Sequence, residues 1–208
     1  NHQYMLFFTQ KGKCFWLRVF EIPEGSKTAK GRAIQNLINI EQDDKVKAFI
    51  CTQDLKDEEY INSMFVVMAT KKGQVKKTSL EQYSRPRTNG INAITVREGD
   101  ELLEAKLTTG LSQVVLAVKS GKAIRFEESK TRPMGRNASG VRGISLKDAH
   151  DEVIGMVTLN DLDSDILVVS EHGYGKRSNL DDYRITNRGG KGVKTLSLTE
   201  KTGNLVAI

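Results

Sequence analysis

The chain has 208 residues, 38% of them hydrophobic and 28% charged, which suits a globular chain of one large domain or two small ones. A net charge of +6 and a pI near 9.2 favour an acidic partner such as nucleic acid or an anionic membrane surface. The longest apolar runs, Met64–Ala69 and Val114–Val118, fall far short of the roughly 20 residues of a membrane helix. Cys14 and Cys51 are too few for a disulfide framework and read as reduced cytosolic thiols. The chain opens without Met, so a removed leader stays open.

Four segments repeat one pattern. Each starts with a strand-length apolar run, passes through a short polar stretch and reaches a glycine, which is a hairpin signature. The runs begin at Met5, Val66, Val114 and Ile166, and the glycines are Gly12, Gly73, Gly121 and Gly173, spaced by 61, 48 and 52 residues. A second strand follows each turn: Cys14–Val19, Val75–Leu80, Ala123–Phe126 and Lys176–Leu180. A basic loop then closes on Gly31, Gly90, Gly140 or Gly192, which lie 19, 17, 19 and 19 residues after the hairpin glycine. Third strands are predicted over Ala33–Ile40, Ile91–Val96, Gly143–Leu146 and Val193–Leu198. After an acidic turn, fourth strands are predicted over Lys45–Cys51, Glu101–Leu107, Glu152–Leu159 and Gly203–Ile208. Helical periodicity is confined to Asp54–Tyr60, enough for one turn or two. The approximate repeats are 1–63, 64–112, 113–164 and 165–208, within one domain over 1–208.

Charge follows the repeat. Residues 9–32, 71–97, 119–147 and 171–194 together hold 27 Lys/Arg and 8 Asp/Glu, a net of +19, while the rest of the chain nets −13. Four basic segments at one place in a radial repeat would form a belt that attracts phosphate. The fourth loop, Thr186–Thr195, combines Arg188 and Lys191 with Gly189, Gly190 and Gly192, so charge meets a backbone that a phosphate can approach closely. The candidate DNA contacts are Lys27, Lys30 and Arg32 in the first repeat, and Lys76, Lys77, Arg85 and Arg87 in the second. The third contributes Arg125, Lys130, Arg132, Arg136 and Arg142. The fourth contributes Lys176, Arg177, Arg184, Arg188, Gly189, Gly190, Lys191, Gly192 and Lys194. No recognition helix is visible, so contacts are expected to the backbone rather than to bases.

Signals of catalysis are weak. Gly135–Gly140 has the glycine spacing of a phosphate-binding loop, but Val141 and Arg142 stand where Lys and Ser/Thr are needed. Asp161–Asp165 opens like a calcium loop, yet Ile166 replaces its glycine and His172 its final Glu. His2, His150 and His172 are isolated in sequence and read as surface residues. Tyr83 and Tyr183 each lie ten residues after a hairpin glycine, which marks a repeated structural position rather than a nucleophile. No catalytic residue, metal site or cofactor is expected in this stretch of chain.

With these residues in view, the repeats resemble the C-terminal domains of the DNA gyrase A-protein family. The likeness rests on Gly31–Ile40, Ala69–Thr78, Met134–Ile144 and Gly173–Arg177, in the family's order. The resemblance implies an all-β fold, a β-pinwheel that is propeller-like in its four-stranded antiparallel blades, about four of them here, with a strand exchanged between neighbours. It implies double-stranded DNA wrapped on a basic rim in support of negative supercoiling, with the cleaving tyrosine and the ATP site elsewhere. The implied partners are the ATP-binding B subunit of gyrase and the remainder of its A subunit, as A2B2, in the cytoplasm at the nucleoid and with no membrane. The isolated chain is expected to be monomeric. The family's hallmark box, a Gln and basic residues before Gly-Gly-Lys/Arg-Gly, belongs to the first blade. Asn187–Gly192 matches its second half but falls in the fourth repeat, and so reads as a degenerate copy, with the true box expected before Asn1. Two alternatives stay open: the C-terminal domain of the topoisomerase IV A protein, and a propeller-like protein-interaction scaffold whose basic rim serves solubility.

Overall fold

The computed structural model describes residues 3–208, and His2 lies outside them. The first repeat supplies β1 (Gln3–Thr9), β2 (Lys13–Arg18) and β3 (Val46–Asp54), followed by a short helix, α1 (Glu58–Ser63). The second supplies β4 (Phe65–Thr70), β5 (Gln74–Ser79), β6 (Ile91–Asn92) and β7 (Leu102–Thr108). The third supplies β8 (Gln113–Val118), β9 (Lys122–Glu127), β10 (Val141–Arg142) and β11 (Val153–Leu159). The fourth supplies β12 (Asp165–Ser170), β13 (Gly175–Asn179), β14 (Val193–Lys194) and β15 (Leu205–Ala207).

Sheets and repeats are out of step. The described residues form sheets ordered β3-β1-β2-β6, β7-β4-β5-β10, β11-β8-β9-β14 and β15-β12-β13. The last strand of each of the first three comes from the repeat that follows. The third strands are therefore exchanged, and they are shorter than the sequence predicts. Val193 pairs with Ala123 and Lys194 with Lys122, and there the ladder stops. The reason is local: the Gly121 carbonyl accepts the N–H groups of both Thr195 and Leu196. Gly73 does the same for Gly143 and Ile144, and Gly12 for Ala93 and Ile94. Only a residue without Cβ fits such a crossing, because a Cβ on Gly12 would sit 2.4 Å from the Ile94 carbonyl oxygen. In the first repeat the predicted third strand is instead a 3-10 turn, Ile34–Asn36, with no sheet neighbour among the described residues. The helix overlaps only the end of its predicted span, Asp54–Tyr60, and runs on to Ser63; the Asp57 carboxylate accepts the Tyr60 N–H and caps it.

The fourth strands β3, β7, β11 and β15 lie side by side and make the hub. The exchanged strands lie at the opposite edges and make the rim. Between hub and rim the blades stack face to face. Val66 and Met68 pack toward the first sheet with Leu6, Phe8 and Tyr83. Their neighbours Val67 and Ala69 pack toward the third with Val114, Leu116 and Phe126. This two-sided burial is why Met64–Ala69 and Val114–Val118 read as unbroken apolar runs rather than alternating ones. By contrast, β12 buries Ile166 and Val168 while Leu167 on its other face is 57% exposed.

A buried ion pair joins the second and third blades. Glu128, fully buried, stands where Leu80 and Leu180 stand in neighbouring repeats. It accepts hydrogen bonds from the Thr108 hydroxyl and the Ser112 N–H, and it pairs with the Lys77 Nζ at 3.0 Å. That ammonium also lies 4.3 Å from the centre of the Phe65 ring. Removing one member leaves an uncompensated buried charge, so Lys77→Met should cost about 3–5 kcal/mol. Lys77→Met with Glu128→Leu should recover most of that loss in urea denaturation. A single variant as stable as wild type would show the pair to be dispensable.

Candidate nucleic-acid interface

The rim is built by the chain that leaves each second strand and crosses outward, and in the second, third and fourth repeats it joins the preceding blade. Successive crossovers touch. The Asn39 and Asn89 side chains are hydrogen-bonded at 3.0 Å. Thr95 donates its N–H to the Ala138 carbonyl and its hydroxyl to the Asn137 carbonyl. Gly189 N–H donates to the Gly143 carbonyl, while Ser145 donates its N–H to Gly190 and its hydroxyl to Gly189. The basic loops are thus one continuous strip carried on four repeats.

Along that strip, Lys27, Lys30, Arg32, Arg85, Arg87, Lys130, Arg132, Arg142, Arg184, Lys191 and Lys194 are exposed. Arg136 and Arg188 are half-buried. Arg188 is held in place by donating from Nε to the Lys130 carbonyl and from Nη1 to the Arg142 carbonyl. Arg85, Arg87 and Arg136 line one shallow cleft of about 240 Å³, with Glu81 and Gln82 also on its wall. Among the described residues, none of these side chains is in a salt bridge with a carboxylate.

The hairpin tips, also basic in sequence, behave differently. Lys11 pairs with Glu41 and Asp43 at 3.0 and 2.7 Å, and Lys13 with Glu41 at 3.0 Å. Asp43 and Glu41 raise the Lys11 pKa, and the lysines in turn lower both carboxyls. Glu101 bridges Lys47 at 3.3 Å and Lys71 at 3.0 Å. Burial pushes Glu101 up, yet the ammonium groups of Lys71 and Lys47 hold it below its usual range. The acidic turns also clamp the tips through backbone contacts. Asp44 accepts from Lys11 N–H, Asp100 from Lys72 N–H and Asp151 from Ser120 N–H. The Asp repeated two residues before β3, β7 and β11 is the sequence signal for this clamp, and reading the turns as merely acidic misses it.

Three expected contacts are corrected. Lys76, Lys77 and Arg125 are 0%, 5% and 6% exposed and cannot reach a phosphate without leaving the core. Arg125 donates to the Leu180 and Tyr183 carbonyls of the next repeat and to the Gln113 side chain. Lys77 holds Glu128, as above. Trp16, in the same column of the first repeat, donates to the Tyr83 carbonyl. The column is a strut between blades. In the fourth repeat its occupant Arg177 is exposed and pairs with Asp165, and Lys176, in the column of Lys76, is exposed as well. Lys76 donates to the Ala93 and Arg136 carbonyls and so props the third loop from beneath. Of the three glycines in the fourth loop, Gly189 and Gly192 take left-handed φ of 84° and 70°, whereas Gly190 does not. Arg97, not singled out in sequence, is exposed beside Arg142 and Arg188.

The repeated sheets, the exchanged strands and the basic rim match a known pattern. A family model described as "DNA gyrase C-terminal domain, beta-propeller" matches residues 3–53, 65–109, 113–160 and 164–208. The chain belongs to that family. The A subunit of DNA gyrase from Staphylococcus aureus strains NCTC 8325 / PS 47 and COL is 44% identical over 210 residues, covering all of this chain and 23% of each relative. Among solved structures, the C-terminal domain of DNA topoisomerase IV superposes over the whole chain and 64% of its own, with a TM-score of 0.85 and 25% identity. A DNA gyrase A C-terminal domain superposes over the whole chain and 66% of its own, with a TM-score of 0.78 and 22% identity, which shows the shared fold. The all-β, propeller-like architecture that the resemblance implies is therefore shown. The matched segments follow the sequence repeats, whereas the sheets do not.

Backbone conformation separates two of the loop glycines. Gly189→Ala should cost about 1–2 kcal/mol because its φ is left-handed. Gly190→Ala should be nearly neutral, since its Cβ would meet Ile124 Cδ1 at an ordinary 3.5 Å. Equal losses in thermal melts would contradict that assignment. At Lys76, burial first and the Arg136 charge second lower the pKa from 10.5 to about 7. Between those two values the unfolded chain holds the extra proton, so stability rises with pH across that window. Relative to Lys76→Met, wild type should gain on the order of 2 kcal/mol from pH 7 to 9. Parallel pH profiles would show Lys76 to be charged throughout.

Proposed function

We propose that the chain is a DNA-wrapping module: it binds, bends and wraps double-stranded DNA around its rim and so supports negative supercoiling by DNA gyrase. The observation that carries this reading is the division of charge. Lys11, Lys13 and Lys71 at the hairpin tips are paired with carboxylates of the acidic turns, while the cations on the crossover loops are in no salt bridge among the described residues and form one strip. Phosphate contacts of this kind position DNA without reading bases, so selectivity comes from DNA bendability. Bending 20–30 base pairs by 40–90° costs on the order of 1–6 kcal/mol, which one exposed loop does not offset but a strip of loops in series does.

On this reading the module has no catalytic step or cofactor of its own. Strand cleavage belongs to the remainder of the gyrase A subunit. ATP chemistry belongs to the B subunit, with the whole assembled as A2B2 in the cytoplasm at the nucleoid. The 208-residue chain is taken as a monomer, and Asn187–Gly192 as a degenerate copy of the family box. A second reading, the C-terminal domain of the topoisomerase IV A protein, is supported by the TM-score of 0.85 to a topoisomerase IV C-terminal domain. The 44% identity to gyrase A subunits favours the first.

Energy transfer between dyes at the ends of a duplex of about 40 base pairs tests the bend. Binding should shorten the end-to-end distance. If about nine rim cations meet phosphate together, log affinity should fall against log salt with a slope of about −8. Reversing charge at Arg85 and Arg87 should weaken binding with stability changed by less than about 0.5 kcal/mol, whereas Lys45 and Lys47 should matter little. A slope near zero, or binding with no change in distance, would leave the rim as a solubility device or a mere anchor.

A further inference from the structure

We propose that Arg97, Arg142 and Arg188 form a clamp for the DNA phosphodiester backbone where three consecutive repeats meet. The inference rests on the wrapping reading and adds to it a defined subsite, in which the loops share one stretch of backbone instead of gripping separate ones. The three arginines come from the second, third and fourth repeats and line one open cleft of about 550 Å³, with Gln74 beside them. No carboxylate lines it.

Among the described residues, the guanidinium groups of Arg97 and Arg142 have no hydrogen-bond or ion-pair partner. Arg188 is different, because two backbone carbonyls already fix its orientation. Gly140 and Gly189 form part of the wall, so no side chain shields the backbone there. Three like charges gathered without a counter-charge repel one another unless an anion joins them. Guanidinium groups suit phosphate oxygens because each offers a planar fork of donors. The cleft is open rather than enclosed, which fits a chain of phosphates passing through better than a small anion.

The test is a double-mutant cycle on the 208-residue chain, reading affinity for a duplex of about 40 base pairs across a salt series. Arg97→Gln and Arg142→Gln should each weaken binding about threefold and reduce the slope by about 0.9, with unchanged melting temperatures. Because both hold the same backbone, the double variant should bind no more than about twofold worse than the weaker single. Arg97→Gln combined with Arg32→Gln, which lies on the first-repeat loop and outside this cleft, should show losses that multiply. Multiplying losses for Arg97 and Arg142 as well, or no loss at Arg97, would overturn the clamp while leaving the wrapping reading intact. Wild-type chain that fails to bind DNA would remove both. Inorganic pyrophosphate separates the two sources of phosphate chemistry. It should compete only weakly and equally in all variants, and saturable binding lost in Arg97→Gln would make this a small-anion site instead.

Discussion

The carbonyl of a hairpin glycine, accepting two N–H groups from the following repeat, is the contact on which the rest of the structure depends. It fixes where the rim strand stops, turns the chain toward the acidic turn and aligns the next hub strand. It also sets every blade in register with its neighbour without a long ladder. Two residue pairs and one shared acceptor are enough because the faces on either side are already closed by apolar packing. The glycine is needed twice over, for its left-handed φ and for the carbonyl oxygen that passes within van der Waals distance of its missing Cβ. At Gly173, where no rim strand crosses among the described residues, the φ is kept but the space around it is open.

Much of this was legible in sequence because it depends on local chemistry. All eight glycines chosen from the repeat, from Gly12 to Gly192, have left-handed φ. The hairpins and hub strands fall within a few residues of their predicted spans. What could not be read was partnership. Ile91–Val96 looks like a strand but pairs over only two residues, because its neighbour is a hairpin from another repeat that turns away. The failure at Lys76, Lys77 and Arg125 has a different origin. Segments give the count of charge, whereas burial is decided by column, and the columns are there to be compared. Phe15 and Ile124 occupy the place of Lys76, and Trp16 that of Lys77 and Arg125.

The same comparison explains the division of charge. A cation at a hairpin tip lies beside the acidic turn that begins the hub strand, since both are at one end of the blade. A cation on a crossover loop lies beside the next crossover, which is also basic, and is in no salt bridge with a carboxylate among the described residues. Geometry therefore sorts lysines and arginines that composition alone treats as equivalent. Burial adds a third class, the struts, which spend their donors on backbone carbonyls of the adjacent repeat.

The crossover loops of the second, third and fourth repeats are each anchored at both ends, but to different blades: the start leaves a second strand of its own repeat, and the end is paired to the preceding sheet. A load pulling outward on the loop is therefore not carried by one strand peeling away from one sheet. It divides between two blades and draws their faces together across the apolar layer between them. Tension in a bound duplex would then tighten the stack that supports it, in the way a hoop under strain presses its staves together.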